Sequence, residues 1–352
     1  MDAEKERALL LEASARLISW YDGVRRELPW RLDPSPYQVW ISEIMLQQTR
    51  IEAVIPYYAR FLAELPDAAA LAAVQEERLL KLWEGLGYYS RARNLKKAAQ
   101  VVMETYGGTL PREAALLKKL PGIGDYTAGA IASIACGEPE PAVDGNVLRV
   151  VMRLTACGED VLSQKTKRRV SEAMRAVYPS GREAGLLTEG LMELGETVCL
   201  PNAEPRCGVC PLREMCLARQ EGNPARYPLR SPKKARRQEE KTVLLLRCSG
   251  RYALRRREET GLLAGMWEFP NLPGFLDEKE LREALCRGGL AAEKIRPCGE
   301  SRHVFTHVEW LMQGYFVDVS SESGEYVWKS PGEIDAQFAV PTAFKAYRKL
   351  LK

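Results

Sequence analysis

The stretch LPGIGDYTAGAIASIACGEPEPAVDGN, Leu120 to Asn146, decides the reading of this chain. Two glycines, Gly122 and Gly124, alternate with apolar residues in a tight hairpin between two helical segments. An aspartate, Asp144, follows on the far side of the second helix. Glycine lets the backbone turn through positive φ and keeps Cβ atoms out of the way. A turn that runs directly into a helix start presents unpaired N–H groups, which suit an anion such as a phosphate. Leu120, Pro121 and Ile123 supply the apolar clasp between the helices. A lone Gly-x-Gly is most often an ordinary interhelical turn, so the weight of this stretch comes from its whole length, Val143-Asp144 included.

Working outward, the chain has 352 residues, too many for one core of ordinary size, so two or three domains are expected. A hydrophobic fraction of 46% with 28% charged residues describes a soluble globular protein. The start, MDAEKERALL, carries charge and no apolar core segment, so no secretory signal is expected, and a cytoplasmic location follows. No apolar run reaches the roughly 18 residues that a membrane span requires. The net charge of +4 is modest but unevenly spread. Arg226, Arg230, Lys233, Lys234, Arg236 and Arg237 fall within 12 residues that hold no acid, which reads as a solvated linker or as phosphate contact.

Residues 1–220 read as a run of helices, with Leu10, Ala13, Leu17 and Trp20, and again Leu79, Leu82 and Trp83, at helical spacing. Prolines including Pro56, Pro66, Pro111, Pro121 and Pro179 punctuate them, mostly near helix starts. Composition shifts at 221–240 to a basic Pro/Gly-containing linker. From 241 to 352 the pattern is a smaller α/β domain. TVLLLRC (242–248) and YALRRR (252–257) read as strands paired around Ser249-Gly250, HVEWLMQGYFVDV (307–319) as another strand, and DEKELREAL (277–285) as a helix.

Of the nine cysteines, Cys199, Cys207, Cys210 and Cys216 fall within 18 residues, spaced C-x7-C-x2-C-x5-C. In a reducing compartment four clustered thiols indicate a metal site rather than disulfides. A four-thiolate set suits zinc or an iron–sulfur cluster, and the spacing alone leaves both open.

ELPWR (27–31), VWISEIMLQQT (39–49), GLGYYSRARNL (85–95) and VDGNVLRV (143–150), together with the hairpin and the cysteines, resemble the MutY adenine glycosylase branch of the helix-hairpin-helix superfamily. The resemblance covers most of residues 20–220. It implies a mainly α, two-lobed glycosylase domain with the helix-hairpin-helix at about 114–134 and a [4Fe–4S] loop at 199–216. That family has six residues in the first cysteine gap, where this chain has seven, LPNAEPR. LLAGMWEFP (262–270) and RHVFTHVEW (302–310) resemble the MutT-like (Nudix-fold) domain of the same family. The glutamate-rich hydrolase box of that fold is missing between Gly274 and Gly289, so nucleotide hydrolysis is not expected.

Two carboxylates are the chemical requirement for breaking the bond between adenine and deoxyribose, one as acid and one beside the developing oxocarbenium. Glu43, set among Trp40, Ile41, Ile44 and Leu46, is the candidate acid, because apolar surroundings would keep it protonated. By the resemblance Asp144 stabilises the sugar cation, and Glu43 then acts as base toward water. Tyr126 stands where the bifunctional relatives carry a nucleophilic lysine, so base removal without strand nicking is implied, with Tyr126 donating a hydrogen bond to Asp144. Gln48 and Tyr88 would fill the hole that a flipped base leaves. Trp30, Arg31, Leu46 and Glu189 would contact adenine, the alternative for Arg31 and Glu189 being a buried ion pair. Phe305-Thr306-His307 corresponds to the family's Phe-Ser-His loop that reads 8-oxoguanine, with threonine as a departure. The partner implied is double-stranded DNA with 8-oxoguanine:adenine or guanine:adenine mispairs, bound by a monomer associated with the nucleoid. A thymine- or pyrimidine-directed glycosylase, or a non-catalytic DNA-binding or redox-sensing protein, are the competing readings. The carboxy-terminal domain and Glu43 weigh against the first, and the two carboxylates with the intercalation motif against the second.

Overall fold

The computed structural model describes residues 2–232 and 235–351, so Lys233 and Lys234 of the basic stretch lie outside the described residues. The chain forms two compact units, Met1–Ala73 with Asn94–Pro232, and Val74–Arg93 with Lys233–Lys352. No helix among the described residues is long and apolar enough to cross a membrane.

The first unit is helical. Its first helix, Ala3–Val24, starts where the Asp2 side chain accepts from the Lys5 N–H, which satisfies a donor the helix cannot pair itself. Leu10, Ala13 and Leu17 on one face meet Val147 and Val151 of the helix Gly145–Leu154 and Leu187, Leu191 and Leu194 of Arg182–Thr197. Trp20 is only half-buried. The helix Pro36–Leu46 begins with Pro36 at its first turn and Ser35 as cap, and is buried nearly all round. Pro56 departs from the expected placement near a helix start. It sits inside Ile51–Glu64, where burial of Val54, Tyr58 and Phe61 holds the helix despite the missing N–H. After the hairpin, Asp125–Ala130 runs on as a π-helix, Ile131–Ala135, and Ser133 Oγ bonds back to the Gly129 carbonyl at 2.7 Å.

In the second unit the helix Glu76–Leu82 accompanies one sheet. Its strands are β1 (Arg237–Cys248), β2 (Arg251–Arg256), β3 (Trp267–Glu268), β4 (Asn271–Pro273), β5 (Ala292–Val304), β6 (Val308–Val319) and β7 (Val327–Lys329). The order is β3-β2-β1-β6-β5, with β4 also on β1 and β7 on β2. Only the β1–β6 pair among these is parallel. Successive β1 side chains alternate between two cores. Val243 and Leu245 join Trp310, Phe344 and Tyr347, while Leu244 and Leu246 join Leu281, Leu285 and Val317. A strand buried on both faces is why VLLL reads as a continuous apolar run. Ser249 and Gly250, with φ of 47° and 77°, form the two-residue turn expected between β1 and β2. Asp277 and Glu280 build a capping box on the helix Glu278–Arg287.

β1 begins at Arg237, inside the stretch read as linker. Its first residues are polar and exposed, yet the parallel register from Arg237↔Val308 pairs their backbone. Before it, Tyr227 is buried, its carbonyl accepts from Arg153 Nε at 2.8 Å, and Leu229 bridges to Asp160.

Candidate active site

One cavity of about 200 Å³ in the helical unit is walled by Trp30, Arg31, Glu43, Tyr126, Asp144 and Glu189. Leu46 also lines it. Glu43 projects from the middle of Pro36–Leu46 and is 4% exposed. Burial pushes its pKa up to about 7, and the nearby Asp144 and Glu189 charges add to the rise, while the Tyr126 hydroxyl and Arg31 oppose it. Near neutral pH this carboxyl therefore carries a proton in a substantial fraction of molecules.

Tyr126 donates its hydroxyl to Glu43 Oε2 at 2.5 Å, not to Asp144 as expected from the sequence. Asp144 instead engages the start of its own helix. Oδ1 caps the helix Gly145–Leu154 by accepting from the N–H groups of Asn146 and Val147, both at 2.8 Å, and Oδ2 accepts from Asn146 Nδ2 at 2.9 Å. Burial lifts the Asp144 pKa above the ordinary aspartate value, and these bonds together with Arg149 hold the rise back. Removing the Tyr126 hydroxyl takes away a donor that favours the Glu43 carboxylate. Tyr126→Phe is therefore expected to raise the Glu43 pKa further and move the alkaline limb of the excision–pH profile upward. A single-turnover pH series checks this, and an unmoved limb would separate Tyr126 from Glu43.

Sequence reading missed the residues that hold this wall in place. Asn146 is one. Its amide bonds Asp144 on one side and accepts from Arg149 Nη2 at 2.8 Å on the other, and Arg149 in turn donates to the carbonyls of Gly195 (2.6 Å) and Cys199 (2.7 Å). Gly129 and Gly195 are others. A Cβ on Gly129 would lie 2.3 Å from the Pro141 carbonyl oxygen, just ahead of Asp144, and one on Gly195 would lie 2.6 Å from Asn146 Cβ. The signal was present as glycines inside helical segments, which points to close backbone approach. Gly129→Ala meets backbone rather than a flexible side chain. It should destabilise the protein by about 1–3 kcal/mol and lower excision with it, and urea denaturation beside an activity assay measures both.

Arg31 and Glu189 are both cavity wall and ion pair. Arg31 Nε lies 3.5 Å from Glu189 Oε1, and Arg31 Nη1 3.0 Å from Glu193 Oε2. Trp30 meets Tyr58 edge-on at 5.4 Å. Gln48 lies outside the cavity wall, exposed, with a left-handed φ of 59°, whereas Gln47 reaches Thr127 at 3.4 Å. At the hairpin, Gly122 uses a φ of 79°, and a Cβ there would meet Asn94 at 2.7 Å. Gly124 has an extended backbone with φ −95° and open space where a Cβ would be. Nothing in the protein's own packing requires glycine there, so the open side of the hairpin is free for an external group.

In the second unit, Phe305-Thr306-His307 joins β5 to β6. The Phe305 N–H donates to the Val308 carbonyl at 2.8 Å, and the His307 carbonyl accepts from the Arg237 N–H at 3.1 Å. The Phe305 ring is held edge-on between His303 (4.6 Å) and Trp310 (4.9 Å). Tyr88, with φ 47° and 47% exposed, places its hydroxyl 2.9 Å from that of Thr306. These residues line an open cavity of about 1020 Å³ with Arg93, Lys241 and Arg257. Burial depresses the His303 pKa, and no metal-holding group forms around either histidine among the described residues.

The four clustered cysteines carry no disulfide and line one small cavity at the end of the helical unit, beside Arg153 and Arg219. Arg153 Nη1 lies 3.2 Å from Cys199 Sγ. Among the described residues no three ligating side chains converge on a single-ion centre.

Residues 41–179 match the model of the HhH-GPD superfamily base excision DNA repair proteins, and residues 242–350 that of the NUDIX domain. The chain is 36% identical to the human adenine DNA glycosylase, over 85% of this chain and 65% of the relative. The mouse adenine DNA glycosylase is 35% identical, over 86% of this chain and 69% of its own length. That of Buchnera aphidicola (subsp. Acyrthosiphon pisum) is 29% identical, over 96% and 97%. Among solved structures, a thermostable thymine-DNA glycosylase superposes with TM-score 0.55 at 28% identity, covering 62% of this chain and 100% of that one. An endonuclease III trapped covalently on DNA gives 0.52 at 25%, covering 63% and 99%. The hairpin, the walled carboxylates and the NUDIX domain thus occur together in a chain that belongs to the adenine DNA glycosylase family of base excision repair enzymes.

Proposed function

We propose that the protein removes adenine paired with 8-oxoguanine or guanine in duplex DNA, by monofunctional hydrolysis of the N-glycosidic bond. The observation that carries this reading is the placement of Glu43, with its pKa near 7, in one cavity with Asp144 and with no lysine in its wall. Adenine is flipped out of the stack into the cavity, against Trp30, Leu46, Arg31 and Glu189. Protonated Glu43 delivers its proton to the base as the bond breaks. The Asp144 carboxylate lies beside the oxocarbenium and stabilises it. Glu43, now ionised, accepts a proton from the attacking water. Tyr126 offers a phenol rather than an amine, so it forms no imine with the sugar and the product is an intact abasic site.

Gln48 and Tyr88 fill the vacated stack. Their exposed, left-handed backbones store strain of the kind found at functional positions. The N–H groups of the Gly122–Gly124 hairpin take a DNA phosphate. Phe305, Thr306 and His307 read the opposite base. The enzyme works as a monomer on nucleoid DNA.

Cys199, Cys207, Cys210 and Cys216 hold a [4Fe–4S] cluster. The four cysteines line one cavity with Arg153 Nη1 3.2 Å from Cys199 Sγ, and the likeness to the glycosylase family supports an iron–sulfur cluster over zinc. Such a cluster, when bound, ties the 199–216 loop together covalently. Arg149 and Arg153 brace the loop from the helix Gly145–Leu154 through the carbonyls of Cys199 and Leu200.

The test is excision on a duplex with one adenine opposite 8-oxoguanine, the products divided between alkali-treated and untreated samples. Strand cleavage only after alkali is expected. Cleavage without alkali would show an amine nucleophile, and tight binding without excision would favour a DNA-binding role.

A further inference from the structure

Tyr21 stands behind the wall of the base cavity rather than in it. It is fully buried on the helix Ala3–Val24 and approaches the helix Arg182–Thr197 at Gly190, where a Cβ would lie 3.2 Å from its own Cβ. Its hydroxyl donates to Glu189 Oε2 at 3.0 Å, and the Arg31 guanidinium lies over its ring at 5.4 Å. It thus touches both members of the Arg31–Glu189 pair.

The pair is unequally held. The short Arg31 contact goes to Glu193 Oε2 at 3.0 Å, and Glu193 is also bound by Arg26 Nε at 2.5 Å. Arg31 Nε stays 3.5 Å from Glu189 Oε1, too long for a good hydrogen bond. The bond from Tyr21 is therefore the shorter of the two contacts on the Glu189 carboxylate; Oε1 retains acceptor capacity, and Glu189 lines the cavity. A carboxylate needs a donor, and adenine attached through N9 offers one, its exocyclic 6-amino group.

We propose that Tyr21 is a positioning residue for adenine selection, its hydroxyl fixing Glu189 so that Oε1 meets the 6-amino group of the flipped base. This rests on the reading of Glu189 as an adenine contact. A site built to bond a substrate N–H discriminates only while its acceptor keeps its place. Tyr21→Phe keeps the ring under Arg31 and removes the bond alone.

The experiment measures single-turnover excision by the full chain on two duplexes, one with adenine and one with purine, which lacks the 6-amino group. Wild type, Tyr21→Phe and Glu189→Gln are compared, with thermal melting of each. Tyr21→Phe is expected to slow adenine excision about tenfold and to leave purine excision unchanged. A Tyr21→Phe effect equal on both substrates, or none on either, overturns the inference even if Glu189→Gln remains adenine-selective. If Glu189→Gln also loses adenine and purine excision equally, the reading of Glu189 as the contact falls with it.

Discussion

Glu43→Gln is expected to reduce single-turnover adenine excision about a thousandfold or more while duplex binding persists. Glutamine has the same size and keeps a carbonyl for the Tyr126 hydroxyl, but it has no proton to deliver to the base and cannot take one from water. Both halves of the reaction lose their proton carrier. The pH dependence gives an independent check. With a pKa of about 7, the acid form of Glu43 declines as pH rises through neutrality, and wild-type excision should decline with it. Stability moves in a linked way. The folded pKa exceeds the ordinary value of 4.5, so between about 4.5 and 7 the folded state binds more protons than the unfolded state. The stabilising contribution of the protonated group is complete below that window and is lost as pH rises through it. Glutamine does not titrate, so Glu43→Gln should gain stability relative to wild type as pH rises, by at most a few kcal/mol. Loss of activity with gain of stability in one variant distinguishes chemistry from misfolding, and parallel urea titrations at the two ends of the window, about 4.5 and 7, read it. A variant that still excises at the wild-type rate would remove Glu43 from the mechanism.

The second large effect is expected from Asp144→Asn, at about two to three orders of magnitude in excision. Asparagine caps helices as well as aspartate does. Its carbonyl can keep the bonds from Asn146 and Val147, so the helix Gly145–Leu154 should start where it does now. The charge proposed to face the oxocarbenium is what disappears. Removing an anion from a surface that meets a polyanion does not weaken DNA binding and can tighten it. Excision lost with melting unchanged and binding kept or improved is the expected pattern. A melting loss as large as the activity loss would instead make Asp144 a structural cap.

The parts of the site that sequence displays are those carried by short contiguous strings. Glu43 sits among apolar neighbours in VWISEIML, and Tyr126 and Asp144 flank one helical stretch, so burial and proximity follow from local pattern. What the strings do not contain is the choice of hydrogen-bond partner. Tyr126 could have met either carboxylate; it meets Glu43, while Asp144 caps its own helix. Tyr21 and Glu189 are 168 residues apart, and an isolated tyrosine in an amphipathic helix looks like core. In the sheet, β1 and β6 announce themselves through apolar runs. β5 does not, because AEKIRPCGESRHV is a mostly exposed edge strand, with register shifts between Ala292 and Lys294 and between Pro297 and Gly299. Polar edges with proline guard against pairing with other chains, which is also what hides them from a hydrophobicity reading. The association of 74–93 with the carboxy-terminal unit has no local signature at all.

The bond between the hydroxyls of Tyr88 and Thr306 joins residues 218 positions apart. Each alone has a distinct assignment, one to the stack and one to the opposite base, so their substitutions would ordinarily be scored as separate lesions. Since the two share a contact, their effects cannot be summed. In a double-mutant cycle, Tyr88→Phe combined with Thr306→Val should cost less than the two single losses added together. An inherited change at one position would then mask one at the other, and a catalogue of single variants would count the same interaction twice.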